Sequence, residues 1–221
     1  MIGLDPQNVV ERIRAAREPV RLPNLRQSIM VGTIGFTLVS VAMFGLWAIA
    51  GHWLTQQFGE IGFYAILGVG FMAAGGGVFQ PILIGNNLGR FYALFVGSFL
   101  LYAVIWTACY LIAREMGQAQ AGEWAGSIIG PALMGALFAL TFRAPDQLVR
   151  CMAALVLGHS AGYFTGDLFF ALESLHNRFG MLLWGLTYGA GFGAGIAASL
   201  YWCQTRVREK LTAALADADS A

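Results

Sequence analysis

Long apolar stretches alternate with short polar connections along this chain. Six of the stretches are close to the ~20 apolar residues that an α-helix needs to cross the hydrocarbon of a bilayer. They are residues 28–50, 61–79, 91–112, 124–142, 149–170 and 179–203. The pattern predicts an all-α, polytopic membrane protein with a bundle of six transmembrane helices, and its connections are too short to hold a soluble domain.

The flanking segments are more polar than the bundle. We expect residues 1–27 to form a cytoplasmic N-terminal segment, residues 28–203 the transmembrane bundle, and residues 204–221 a cytoplasmic C-terminal tail. Asp5 followed by Pro6 is a good helix start. The carboxylate can accept hydrogen bonds from the free backbone N–H groups of the first turn, and proline is tolerated in that turn. The apolar residues that follow share one face, so this pattern predicts a short amphipathic helix on the inner leaflet. A solvated tail is the alternative.

The distribution of basic residues predicts the orientation. If the N-terminus lies inside, eleven of the 13 Lys and Arg residues fall on the inner side. These are Arg12, Arg14, Arg17, Arg21, Arg26, Arg90, Arg143, Arg150, Arg206, Arg208 and Lys210. Only Arg114 and Arg178 fall outside, and this bias predicts that both termini are cytoplasmic.

Composition excludes several classes of protein. Apolar residues make up 57% of the chain and charged residues 11%, so a soluble fold would expose much apolar surface to water. A net charge of +1 gives no basis for binding nucleic acid. The three cysteines, Cys109, Cys151 and Cys203, are too far apart for a disulfide framework or a zinc pattern, and they are interpreted as small buried apolar residues. The expected location is a plasma membrane, with a bacterial inner membrane as the specific prediction.

Glycine is abundant, with 29 residues concentrated in the predicted spans. Gly158, Gly162 and Gly166 recur every four residues, a spacing that lets a neighbouring helix approach closely. Tight helix packing is the default interpretation. The run Gly75, Gly76 and Gly77 suggests instead an unwound turn in the second span. Paired broken spans mark the central site of many transporters, so an arrangement of 3+3 inverted halves is an alternative.

Few polar side chains lie inside the predicted spans. His159, Tyr163 and Asp167 recur every four residues in the fifth span and therefore share a face. An ionisable group in hydrocarbon usually faces a cavity or a partner. We predict that these three residues, with Gly75, Gly76 and Gly77, bind a ligand or line a pore. The alternative is a neutral His159 hydrogen-bonded across a pair of helices.

Catalytic and cofactor signatures are incomplete. Ser127 and His159 are the residue types of an intramembrane serine protease, but we expect them at different depths, and we predict no enzyme activity. No metal is implied by the sequence. His159 or His52 could serve as an axial ligand of a tetrapyrrole, because an axial histidine needs small neighbours. His52 and His176 could also meet near the outer surface, although loop histidines are common.

The function predicted from these features is that of a channel or transporter. The spans hold almost no charge, which favours a small neutral or apolar solute over ion-coupled transport. The alternative is a non-catalytic accessory subunit, or a pigment- or haem-binding subunit, of a larger membrane complex. The expected partners are the lipid bilayer and either further copies of the chain or other membrane subunits.

Overall fold

The computed structural model describes residues 3–16, 21–85, 87–172 and 177–219. All regular secondary structure in this part of the chain is helical. Its α-helices are α1 Pro6–Ala16, α2 Leu25–Gly75, α3 Leu88–Glu115, α4 Ala119–Thr141, α5 Leu148–Ala171, α6 Asn177–Cys203 and α7 Thr205–Asp219. The 3₁₀ helices Gly77–Ile82 and Pro145–Gln147 precede α3 and α5. The predicted all-α class is confirmed.

Four stretches of the described chain are long and apolar enough to cross a membrane. They are Leu25–Ile82, Leu88–Glu115, Ala119–Thr141 and Arg178–Cys203. The first covers both the first and second predicted spans, because α2 and the following 3₁₀ helix are almost continuous. The fifth predicted span corresponds to α5, which is not among these four stretches of the described chain. These helices are those of a multi-pass membrane protein.

The long helix α2 reverses direction at Gly59. Its backbone there has φ 71° and ψ 174°, a conformation that is essentially restricted to glycine. The aromatic rings on either side of this point then face each other: Trp47 lies 5.8 Å from Phe63, and Phe36 lies 6.0 Å from Phe71, between ring centroids. The helical arms 25–58 and 60–75 therefore form an antiparallel hairpin.

The helices pack around a central aromatic core. α6 contacts both α2 and α5, α5 contacts α4, and α4 contacts α3. α3 returns to the second arm of α2 through Phe95 and Phe99, and Phe99 stacks on Phe71 at 6.0 Å. Six phenylalanines fill the centre with almost no exposed surface: Phe36, Phe79, Phe91, Phe95, Phe138 and Phe192. Their rings meet in tilted and edge-to-face pairs, the favourable geometries for aromatic contacts.

Glycines lie where helix backbones approach most closely. On one side of α6, Gly193 lies against the backbone oxygen of Gly32 in α2. On the other side, Gly191 lies against the backbone oxygen of Gly158 in α5, and a Cβ on Gly195 would lie 2.6 Å from Ala154 O. No larger side chain fits at these points, so α6 is held between two neighbours through backbone contact.

One end of the bundle gathers both terminal segments and two connections. Asn8 N donates to Asp5 Oδ1 at 3.2 Å, which confirms the predicted cap of α1. The apolar face of α1 does not meet lipid: Val9, Val10 and Ile13 are buried in a cluster with Ile84, Val207 and Leu211. α1 therefore docks on α7 and on the loop before α3.

An ion pair at this end joins α7 to the connection before α5. Arg206 of α7 contacts Asp146 of the connection before α5, with 2.6 Å between Nη2 and Oδ1. A hydrogen bond from Gln147 and the Arg206 guanidinium hold the pKa of Asp146 below its usual value. Both side chains are about half exposed, so the pair contributes little to stability but shows which segments are neighbours.

We expect Gly162→Leu to destabilise the bundle. A Cβ at this position would lie 2.6 Å from Thr187 O and 2.9 Å from Tyr188 Cα, so α5 and α6 would be forced apart. Overpacking of this kind costs about 1–3 kcal/mol or more. The measurement is thermal unfolding of the detergent-solubilised protein. Gly97→Leu is the matched control, because a Cβ at Gly97 in α3 would meet nothing within 4 Å. Equal melting temperatures for the two variants would contradict close packing at Gly162.

Candidate functional site: a buried histidine–tyrosine group

His159 lies at the meeting point of α3, α5 and α6. Its Nε2 is 2.7 Å from the Tyr102 hydroxyl of α3, which is in turn 3.2 Å from the Tyr188 hydroxyl of α6. The His159 side chain has 0% exposure, and the two tyrosines are 8% and 7% exposed. Three helices thus bring their polar side chains together inside an apolar bundle, and we refer to these residues as the His–Tyr group.

Aromatic rings enclose the imidazole of His159. Phe192 and Tyr188 approach it edge-on, with centroids at 5.2 and 5.5 Å, and Tyr163 lies nearly parallel to it at 5.8 Å. The sequence allowed His159 to be an axial ligand of a tetrapyrrole. In this structure Nε2 is already bonded to Tyr102, and the space around the ring is filled by side chains. The described residues around His159 therefore do not fit a flat macrocycle.

The other ring nitrogen of His159 has no such partner. Nδ1 is buried and forms no hydrogen bond with any described residue. A neutral imidazole has one donor and one acceptor nitrogen, so the donations can run along the chain from Tyr188 to His159 in either of two directions. In one, Tyr188 donates to Tyr102 and Tyr102 donates to Nε2, leaving Nδ1 as a free donor. In the other, every donation runs in reverse, leaving Nδ1 as a free acceptor.

The predicted stripe on α5 connects the His–Tyr group to more polar residues. Tyr163, one turn from His159, is partly buried and packs its ring against Trp106 and Trp184. Asp167, one turn further along, is half-buried, and both Tyr163 and Glu123 of α4 lie within electrostatic range of it. Tyr163 therefore lies between the buried imidazole of His159 and the carboxylates of Asp167 and Glu123.

The triple glycine lies on α2, where the helix changes type. Gly75 ends the α-helix, Gly76 keeps helical angles of φ −62° and ψ −38°, and the chain continues as the 3₁₀ helix Gly77–Ile82. The expected unwound turn is thus a change of helical pitch. A Cβ on Gly76 would lie 2.7 Å from the Tyr92 ring, so the glycines admit α3. The Tyr92 hydroxyl donates to Ala73 O at 2.6 Å, which satisfies a carbonyl that the end of α2 leaves free.

Gln204 satisfies the backbone beyond this change. It is 3% exposed, accepts from Ile84 N at 2.7 Å, and donates to Ile82 O at 3.1 Å and Leu200 O at 3.0 Å. Asn87 adds a bond from its Nδ2 to Ile84 O at 2.8 Å and accepts one from Arg12 at 2.6 Å. The glycine run is therefore fixed by polar contacts and lies apart from the His–Tyr group.

Other candidate residues do not join the site. Ser160 donates to Ser127 O at 3.2 Å, so Ser127 lies level with the residue after His159, and the expected difference in depth is wrong. The Ser127 hydroxyl accepts from Trp106 Nε1 at 3.3 Å, whereas His159 Nε2 is bonded to Tyr102, so the two side chains have separate partners and no hydrogen bond joins them. His52 is exposed and bonds to Gln56 at 2.9 Å. His176 lies outside the described residues, as does any pairing with His52.

Sequence reasoning missed Tyr102 and Tyr188. Both lie in predicted spans, but they share no helix with His159, and one sequence contains no signal that aligns three helices in depth. A weak signal did exist. Each tyrosine is a polar-tipped residue in the middle of an apolar stretch, and a buried phenol usually has a hydrogen-bond partner.

Comparisons with known proteins identify no relative. No protein-family model matches this chain, and no curated protein and no solved structure matches it.

We expect Tyr102→Phe to lower stability without repacking the core, because the ring is retained while the hydroxyl is lost. Both hydrogen bonds of Tyr102 disappear and His159 Nε2 loses its partner, a loss of about 1–2 kcal/mol in the bundle. Thermal unfolding in detergent measures the effect. Tyr64→Phe is the control, since Tyr64 is 51% exposed. If the two variants melt alike, the hydrogen-bonded chain contributes nothing to stability.

Proposed function

We propose that this chain is a multi-pass transport protein of the plasma membrane that moves a small neutral or apolar solute. The specific location that we propose is a bacterial inner membrane. The observation that carries the proposal is the His–Tyr group with its unpartnered Nδ1. A buried polar atom without a partner costs stability, so its presence needs a reason. A solute that hydrogen-bonds to Nδ1 supplies one.

The geometry favours a carrier over an open channel. Phe36, Phe192, Leu155 and His159 have no exposed surface, so a solute reaches the imidazole only if helices separate. At Gly158 and Gly191 no side chains of α5 and α6 interlock, so these contacts would not prevent the two helices from moving relative to each other.

The same site favours a neutral solute. The rings within 6 Å of His159 are the phenols and phenyl of Tyr102, Tyr163, Tyr188 and Phe192, which carry no formal charge at neutral pH. An ion at this depth would have to be desolvated without a charged partner on these residues, which is costly. Asp167 and Glu123 lie further along the bundle and suit an entrance better than a central coupling site. Catalysis is not part of the proposal, because Ser127 and His159 bind separate partners.

Six crossings with cytoplasmic termini are the proposed topology. The reversal at Gly59 supports two crossings in the stretch Leu25–Ile82. α1, α7, the loop before α3 and the connection before α5 contact one another, which supports placing them on one side of the membrane. The excess of basic residues supports placing that side in the cytoplasm. Inverted 3+3 halves are not included, because α5 continues unbroken past its three glycines while α2 changes to a 3₁₀ helix.

A second candidate function is a non-catalytic subunit of a larger membrane complex. It is favoured by large apolar side chains exposed around the Gly59 turn, namely Trp53, Phe58 and Ile61. These lie beside polar residues such as Gln57 and Glu60, a mixture found at protein contacts as well as at the membrane surface. An absorption spectrum of the purified protein separates the pigment-binding form of this alternative from a carrier.

The topology is tested by labelling introduced cysteines in intact cells. With native Cys109 replaced by serine, Gln57→Cys and Gln118→Cys should react with a membrane-impermeant maleimide from outside, since both positions are exposed. Lys210→Cys, also exposed, should react only after the cells are opened. Labelling of Lys210→Cys in intact cells would contradict six crossings with cytoplasmic termini.

The transport proposal is tested in proteoliposomes by stopped-flow light scattering with a series of neutral solutes such as glycerol and urea. We expect at least one solute to permeate faster than in empty vesicles, and His159→Ala to abolish that difference because Nδ1 is removed. Leu157→Ala is the control, because Leu157 on the same helix is 70% exposed. If His159→Ala is folded and transports at the same rate as the unmodified protein, His159 does not bind the solute.

A further inference from the structure

Two thiols that the sequence places 52 positions apart meet at the inner ends of α5 and α6. Cys151 lies in the first turn of α5 and Cys203 is the last residue of α6. Their sulfur atoms are 3.5 Å apart, and both side chains are buried. The wide spacing in sequence had indicated only isolated apolar cysteines, so tertiary structure alone creates this pair.

The surrounding backbone holds the two thiols in register. The Ser199 hydroxyl donates to Cys151 O at 3.2 Å, and Cys151 Sγ donates to Ser199 O at 3.7 Å. One turn away, Gly195 lies against the backbone of Ala154. α5 and α6 are therefore in backbone contact near this level, which brings their cysteines within reach of a bridge.

We propose that Cys151 and Cys203 form an oxidation site that closes to an intramolecular disulfide. The sulfur atoms must approach by about 1.5 Å to reach the bonding distance of about 2.05 Å, which small side-chain rotations at two helix ends can supply. This inference is independent of transport, since it depends only on the contact between α5 and α6.

The chemistry requires a two-electron thiol oxidant, for which a diazene such as diamide serves. One thiolate adds to a nitrogen of the N=N bond and forms a sulfur–nitrogen bond. The second thiolate attacks that sulfur, and the sulfur–nitrogen bond breaks as the disulfide forms. The two thiols lose two protons and two electrons in total, and the diazene gains them and leaves as a hydrazine. Hydrogen peroxide achieves the same oxidation by cleaving its O–O bond to give two waters.

Burial makes the reaction slow but does not prevent it. Both residues lie within a turn of a helix end, where local opening costs less than global unfolding. Once formed, the bridge closes a long loop that contains most of α5 and α6, so it restricts the unfolded chain and raises stability.

The test uses the full-length protein carrying Cys109→Ser, so that only the pair remains. We expect treatment with diamide in mild detergent, well below the melting temperature, to lower the intact mass by about 2 Da, the mass of two hydrogen atoms. Peptides containing Cys151 and Cys203 should then be found joined. The melting temperature should rise by about 5 °C, and a reductant should reverse each change.

Two further variants distinguish the site from unspecific oxidation. Cys151→Ser and Cys203→Ser, each in the Cys109→Ser background, should show neither the mass loss nor the stabilisation. The proposal is overturned if the Cys109→Ser protein keeps both thiols under native conditions, or if oxidation yields only dimers linked between chains.

Discussion

The close contact of α6 with α2 on one side and α5 on the other is the constraint on which this structure depends. In lipid, apolar side chains gain little by leaving their surroundings, so helices associate through van der Waals contact. Glycines at Gly193 and Gly191 bring backbone against backbone and maximise that contact. The rings of Tyr188 and Phe192 reach the core only because α6 lies this close.

The same closeness explains the polar chemistry of the interior. Tyr188 and His159 lie on facing surfaces of α6 and α5, near Gly191 and Gly158, so their polar tips need hydrogen-bond partners inside the bundle. Tyr102 from α3 completes the chain with its hydroxyl. Within this group of three side chains, Nδ1 of His159 is the atom for which the described residues offer no partner.

The end of the bundle where α1 meets α7 depends on hydrogen bonds to the backbone. The change from α-helix to 3₁₀ helix after Gly75 frees backbone groups that lipid cannot satisfy. Tyr92, Gln204 and Asn87 supply the missing hydrogen bonds, and α1 and α7 cover the loop with their apolar faces. The sequence predicts one apolar face on α1, but in the structure that face packs against protein and not against lipid. Periodicity identifies an apolar face and cannot identify what covers it.

The sequence by itself determined the all-helical class, the apolar stretches, the cap of α1 at Asp5, and the alignment of His159, Tyr163 and Asp167 on one face. These follow from hydropathy and from the 3.6-residue period of a helix, which are local properties. Tertiary structure alone decided the partners of His159, the depth of Ser127, the docking of α1 and the pairing of Cys151 with Cys203. Each of these depends on how far one helix slides along another, and that offset is fixed by close contacts between residues far apart in the chain.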